Sequence, residues 1–165
     1  TFDEMKQPDS VFVALRAAKA AGEDGQAVGG YALTIGNRMF KDAQTIFGKA
    51  QQSKSPEDSR AAIDASRSVI PWVQFADSTL TSVDSKNSAG FLMAASAYFI
   101  SAIALTEAPK TKSCEMARLG QEYVMIAMMN MNRGGKVAPE FVAQLMPVLP
   151  QYMQGAEQYV KAFCK

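Results

Sequence analysis

Residues 87–106, NSAGFLMAASAYFISAIALT, run for twenty positions without a charged side chain. Phe91, Leu92, Met93, Tyr98, Phe99, Ile100, Ile103 and Leu105 point in every direction when this stretch is wound as a helix, so it predicts a helix of about 88–107 that is buried on all sides. Twenty uncharged residues are also enough to span a bilayer. Against a span stand Ser88, Ser96, Ser101 and the many alanines, which lower the hydrophobicity. Lys86 and Glu107 flank the stretch without an aromatic belt. The reading is the central helix of a water-soluble bundle, with no membrane span, and Pro109 is expected to stop it.

Outward from this helix the pattern is helical almost throughout. Toward the N-terminus, Ser55-Pro56-Glu57-Asp58 reads as a helix start: a hydroxyl cap, a proline where its missing N–H costs nothing, and acids at the positive dipole end. The helix that follows carries Ile63, Ile70, Val73, Leu80 and Val83, and Pro71 is expected to kink or split it near Ile70. Trp72 reads as a buried ring bracing that kink. Before it, a helix from about Gln26 to Gln52 places Val28, Tyr31, Ala32, Ile35, Met39, Ala43, Ile46, Phe47 and Ala50 on one stripe. Arg38, Lys41 and Lys49 face away from that stripe. Gly29, Gly30, Gly36 and Gly48 weaken this helix locally and permit close approach of neighbours. A short first helix within residues 1–24, capped by Asp9 or Ser10, is expected to pack on the bundle.

Toward the C-terminus, helices are expected from about Ser113 to Asn132 and from about Pro139 to Phe163. Gly134-Gly135 between them should serve as C-cap and turn. Pro147 and Pro150 should bend or interrupt the last helix between Met146 and Gln151. Cys114 opens the first of this pair and Cys164 closes the second, so an antiparallel hairpin would bring the sulfurs together at its open end. A disulfide there implies an oxidising compartment. The chain opens at Thr1, as removal of a signal peptide would leave it, and an exported protein, periplasmic or secreted, is the expectation. The fold is expected to be all-α: a single-domain antiparallel bundle of five to six helices over residues 1–165, which is long enough to bury roughly 70% of its unfolded surface.

Composition narrows the function. Seventeen Lys and Arg against sixteen Asp and Glu leave a net charge of +1, with the signs interspersed. Even the richest basic stretch, Lys49, Lys54, Arg60 and Arg67, is broken by Glu57, Asp58 and Asp64, so nucleic acid is not an expected partner. The chain has no histidine, which removes imidazole bases, di-iron Glu-x-x-His pairs and hydrolase triads. No Ser-x-x-Lys, Walker lysine or strand-borne GxGxxG occurs. No enzymatic activity is expected.

One cluster stands out. Met125, Met128, Met129 and Met131 crowd two turns of one helix, Met116 lies upstream, and Met146 and Met153 lie on the helix expected to pack against it. Thioethers are soft ligands suited to Cu(I). They also fill irregular cores, and they make adaptable contact surfaces. Here the core reading is preferred, with the metal and the contact surface kept open. Tyr123, Tyr152 and Tyr159 would add polar handles to any ligand site in this hairpin.

The leading functional expectation is an exported, disulfide-stapled bundle that acts by binding a protein partner, as an inhibitor, immunity or accessory protein does. Gly90-Phe91, Phe163-Cys164 and the order helix, Cys, helix, turn, helix, Phe-Cys resemble in outline small periplasmic immunity proteins that block a toxin. These two dipeptides define no family. The alternatives are a carrier of Cu(I) or an apolar small molecule in the Met-rich hairpin, and an assembly subunit whose apolar helix packs against a copy of itself. No other cofactor is expected.

Overall fold

A computed structural model describes residues 8–165, with side chains from Ser10 onward. Its order is α1 (Pro8–Ala20), α2 (Gly25–Ser53), α3 (Pro56–Thr79), α4 (Val83–Thr111), α5 (Cys114–Gly134), α6 (Pro139–Leu145) and α7 (Leu149–Phe163). The expected all-α bundle is present. Only a few residues separate α2 from α3, α3 from α4 and α4 from α5, and connections this short force each pair into an antiparallel hairpin. The broadest helix faces are shared within α2–α3 and α4–α5, with α3 against α4 joining the two hairpins.

Local chemistry sets these boundaries. Ser55 caps α3 by accepting from the Asp58 N–H at 3.1 Å, as its sequence predicts. Asp24 caps α2 through both carboxylate oxygens, on Gln26 N and Ala27 N. The short α3–α4 turn is held by a residue far away in sequence. Gln26 Oε1 accepts from the backbone N–H groups of Thr81 and Ser82 at 3.1 and 2.9 Å, and its Nε2 donates to Ser85 Oγ at 2.9 Å. Three groups at the start of α4 thus find partners that would otherwise have to be water.

The core runs through α4. Its apolar window, with mean hydropathy 1.7, is long and apolar enough to cross a membrane, and 83% of that window is buried within the chain's own fold. Phe99 stacks on Phe47 at 4.3 Å and on Phe40 at 5.6 Å, which ties α4 to α2. A second, smaller cluster of Leu105, Val124 and Ala156, flanked by Tyr152, Met153 and Tyr159, seats α7 on α4 and α5.

Several expectations are corrected. Pro71 neither splits nor ends α3, which runs continuously to Thr79. Pro71 and Arg67 both face solvent, so the carbonyl that loses its amide partner is left to water. Trp72 is buried, as expected, but its ring neighbour is Phe12 of α1, edge-on at 4.9 Å, and Phe12 also meets Phe75. The tryptophan therefore holds the N-terminal helix on the bundle. Pro109 lies inside the last turn of α4, which is four to five residues longer at each end than expected and closes at Lys112 in the left-handed conformation, φ 50°. Gly135 is the C-cap of α5 but stays right-handed, φ −64°. The α5–α6 turn closes instead through successive bonds of Lys136 N to Arg133 O and Val137 N to Gly134 O. The described residues form seven helices where five to six were expected, because the chain does break after Leu145, beside Pro147, and restarts at Leu149. Helix α1 begins at Pro8, so Ser10 sits within its first turn and not at its cap. The cap expected of Asp9 lies outside the described side chains. Tyr31, placed on the buried stripe of α2, is 39% exposed, whereas Phe40, left off it, is buried.

Candidate functional site

Helix α5 is amphipathic in a way that explains its packing and exposes its methionines. Ser113 caps it, accepting from Met116 N at 3.2 Å. Ala117, Gly120, Tyr123, Val124, Ala127, Met131 and Gly134 recur at three- and four-residue spacing and are buried. Small residues in this stripe let α4 come close: a Cβ on Gly120 would lie 2.6 Å from Leu105 Cγ. Near the other end, Arg133 donates to Asp77 Oδ1 of α3 at 2.5 Å and to Asn130 Oδ1 at 2.7 Å. Gly90 of α4 leaves the space its side chain crosses, since a Cβ there would meet Arg133 Cβ at 2.7 Å.

With that stripe turned inward, Met125, Met128 and Met129 are turned out. They are 51%, 44% and 80% exposed. The core reading of these three is thereby overturned: positions i, i+3 and i+4 on the face opposite the buried stripe cannot reach the interior. The other candidates separate from them. Met131 is 2% exposed and belongs to the main core, as does Tyr123. Met153 packs against the second cluster, and Met116 is half-buried against the main one. Met146 is exposed at the break between α6 and α7. The sequence's single methionine cluster is thus two populations, one structural and one presented to solvent.

Cys114 and Cys164 are joined in a disulfide with Cα atoms 4.8 Å apart, closing the open end of the α5–α7 hairpin as expected. No free cysteine remains. Among the described residues no group of three His, Cys, Asp or Glu side chains comes together.

A groove of about 390 Å³ lies between the end of α2, the second half of α4 and the start of α7. Its apolar surface comes from Phe47, Ala50, Ala102, Ile103 and Tyr152. Its rim carries Lys54, Lys110 and Glu107. Glu107 Oε1 accepts from Lys110 Nζ at 2.8 Å and from Ser59 Oγ at 3.3 Å, so its charge is already neutralised locally. Of the sequence candidates only Tyr152 lines this groove, and no methionine does. Sequence reasoning does not assign Phe47, Glu107 or the lysines to a site, because only the fold brings α2, α4 and α7, with Ser59 of α3, to one place. Tyr98 stacks on Tyr152 at 6.1 Å. Burial, reinforced by Tyr152, pushes its phenol up to about 12.

The basic stretch of α2 and α3 is a solvated surface. Lys49 Nζ meets Asp58 Oδ1 at 2.7 Å, and this hydrogen bond moves the lysine up and the carboxylate down from their ordinary values. Helix α4 has most of its apolar surface inside its own chain. The chain matches no protein family, no curated protein and no solved structure.

Proposed function

We propose that this chain is a non-enzymatic binding protein of an oxidising compartment, periplasmic or secreted, that works by contact with a protein partner seated on the outer face of α5. The exposure of Met125, Met128 and Met129 carries the reading. Lys, Glu and Gln match Met in helix propensity, so the fold does not require thioethers at these positions. Flexible, polarizable side chains at an exposed face suit a partner whose surface they must follow. The Cys114–Cys164 bridge supports the compartment. The chain has no imidazole and no free thiol, so chemistry that depends on either is not open to it.

A photo-crosslinking residue placed at Met129 tests this in the native compartment, with the same residue at the exposed Arg67 of α3 as reference. The expected result is a discrete heterologous adduct from position 129, absent from position 67 and lost when Met125→Glu and Met128→Glu are added. Equal adducts from both positions, or none from position 129, would overturn the reading. An adduct of twice the chain's own mass would replace it with self-assembly.

A further inference from the structure

We infer that Met125, Met128 and Met129 form a surface site for a soft monovalent cation, Cu(I), held by three thioethers on one face of α5. The first support is the inventory of soft donors. There is no histidine, and both cysteines are consumed in the disulfide. Methionine sulfur is therefore the soft donor left to the chain, and thioethers select Cu(I) over harder divalent ions.

The second support is placement. Among the described residues four methionines are exposed, and three of them lie within five positions of one helix. Side chains at i, i+3 and i+4 start roughly 5–6 Å apart, and each thioether ends an unbranched chain with three rotatable bonds. Such side chains can converge on one ion above the helix surface without any change in the backbone. The site is open to solvent, which provides its entry path, and its three donors are neutral, which suits a monovalent ion.

A property follows that separates this site from thiolate or imidazole sites. Thioether sulfur carries no proton to be displaced, so affinity stays flat between about pH 5 and pH 8, where Cys and His sites weaken on acidification. This site stands independently of protein docking on the same face, because Leu in place of Met keeps the apolar surface and discards the donor.

The test uses the disulfide-intact chain labelled at the methionine methyl groups, with Ag(I) as a redox-stable probe followed by NMR and anaerobic Cu(I) titration against a chromogenic chelator. One equivalent of Ag(I) is expected to shift the methyl signals of Met125, Met128 and Met129 and to leave those of buried Met93 and Met131 in place. The triple variant Met125→Leu, Met128→Leu, Met129→Leu is expected to keep its helical circular dichroism and to lose Cu(I) affinity at least tenfold. Met146→Leu is expected to leave it unchanged. Unmoved signals for the three methionines, an affinity that the triple variant retains, or an affinity falling tenfold from pH 8 to pH 5 would each overturn the site. A chain with Met125→Leu, Met128→Leu and the photo-crosslinking residue at 129 that loses Cu(I) yet still gives the cross-linked partner would separate the metal site from the docking face.

Discussion

Single residues decide whether a polar group at a helix junction is satisfied, and they differ in how visible they are beforehand. Ser55 caps the helix that begins at the next residue through an N–H only three positions on, so its role can be read directly from Ser-Pro-Glu-Asp. Gln26 serves a turn 55 residues away, and no local pattern announces it. Tyr98 belongs to the second kind: its place beside Tyr152 depends on α7 folding back over α4. That burial has a measurable consequence. With its phenol at about 12 when folded and about 10 when unfolded, Tyr98 stays protonated in the native chain where the unfolded chain has released its proton. Stability is intact below pH 10 and is lost as pH rises toward 12, since the unfolded state binds fewer protons across that window. Tyr98 is only partly buried, so solvent screens part of this effect and the loss is on the order of 1–2 kcal/mol. Urea unfolding at pH 9 and pH 11.5 checks this against Tyr98→Phe, which has no phenol to ionise. Wild type should fall further than the variant between the two pH values, and parallel falls would remove Tyr98 as the cause.

At the scale of elements, helix existence was legible and helix detail was not. The uncharged run of α4 and the stripe of α2 are periodic over many turns, and a long signal survives local noise. Pro71 does not split α3, since Arg67, whose carbonyl loses its amide partner, faces solvent, and exposure is a tertiary property. Glycine was ambiguous for the same reason. Gly29 and Gly30 are neighbours in α2 with equal propensity, but a Cβ on Gly29 would lie 2.9 Å from both the backbone nitrogen and Cγ of Leu80, while one on Gly30 meets nothing within 4 Å. Gly29 is where the α3–α4 turn crosses α2, and Gly30 is a weak point facing away. Gly29→Ala is expected to destabilise by about 1–3 kcal/mol, because backbone must move. Gly30→Ala is expected to stabilise by about 0.5–1 kcal/mol through helix propensity alone. Opposite shifts in the thermal midpoint would confirm the assignment, and shifts of one sign would refute it.

The whole molecule is held unevenly, and the disulfide sits where the packing is thinnest. Helices α2 to α5 share the large core, whereas the outer part of α7 rests on the small Leu105, Val124 and Ala156 cluster. The methionine cluster looked like one feature in the sequence because residues 125–131 share a helix, yet which side of α5 is outward is settled only when α4 and α7 claim the other sides. The bridge contributes at this scale. It closes a loop between positions 50 apart, which by loop entropy stabilises the native state by about 4 kcal/mol. Cys114→Ser with Cys164→Ser, or reduction, should lower the urea midpoint accordingly, and the damage should begin at α7. Amide exchange in the reduced chain is expected to rise first between Leu149 and Phe163, while α3 and α4 keep most of their protection, since local openings follow the smallest buried cluster. Uniform loss of protection across all helices would mean that the hairpin and the main core unfold as one unit, and that the bridge stabilises the bundle as a whole rather than fastening its last helix.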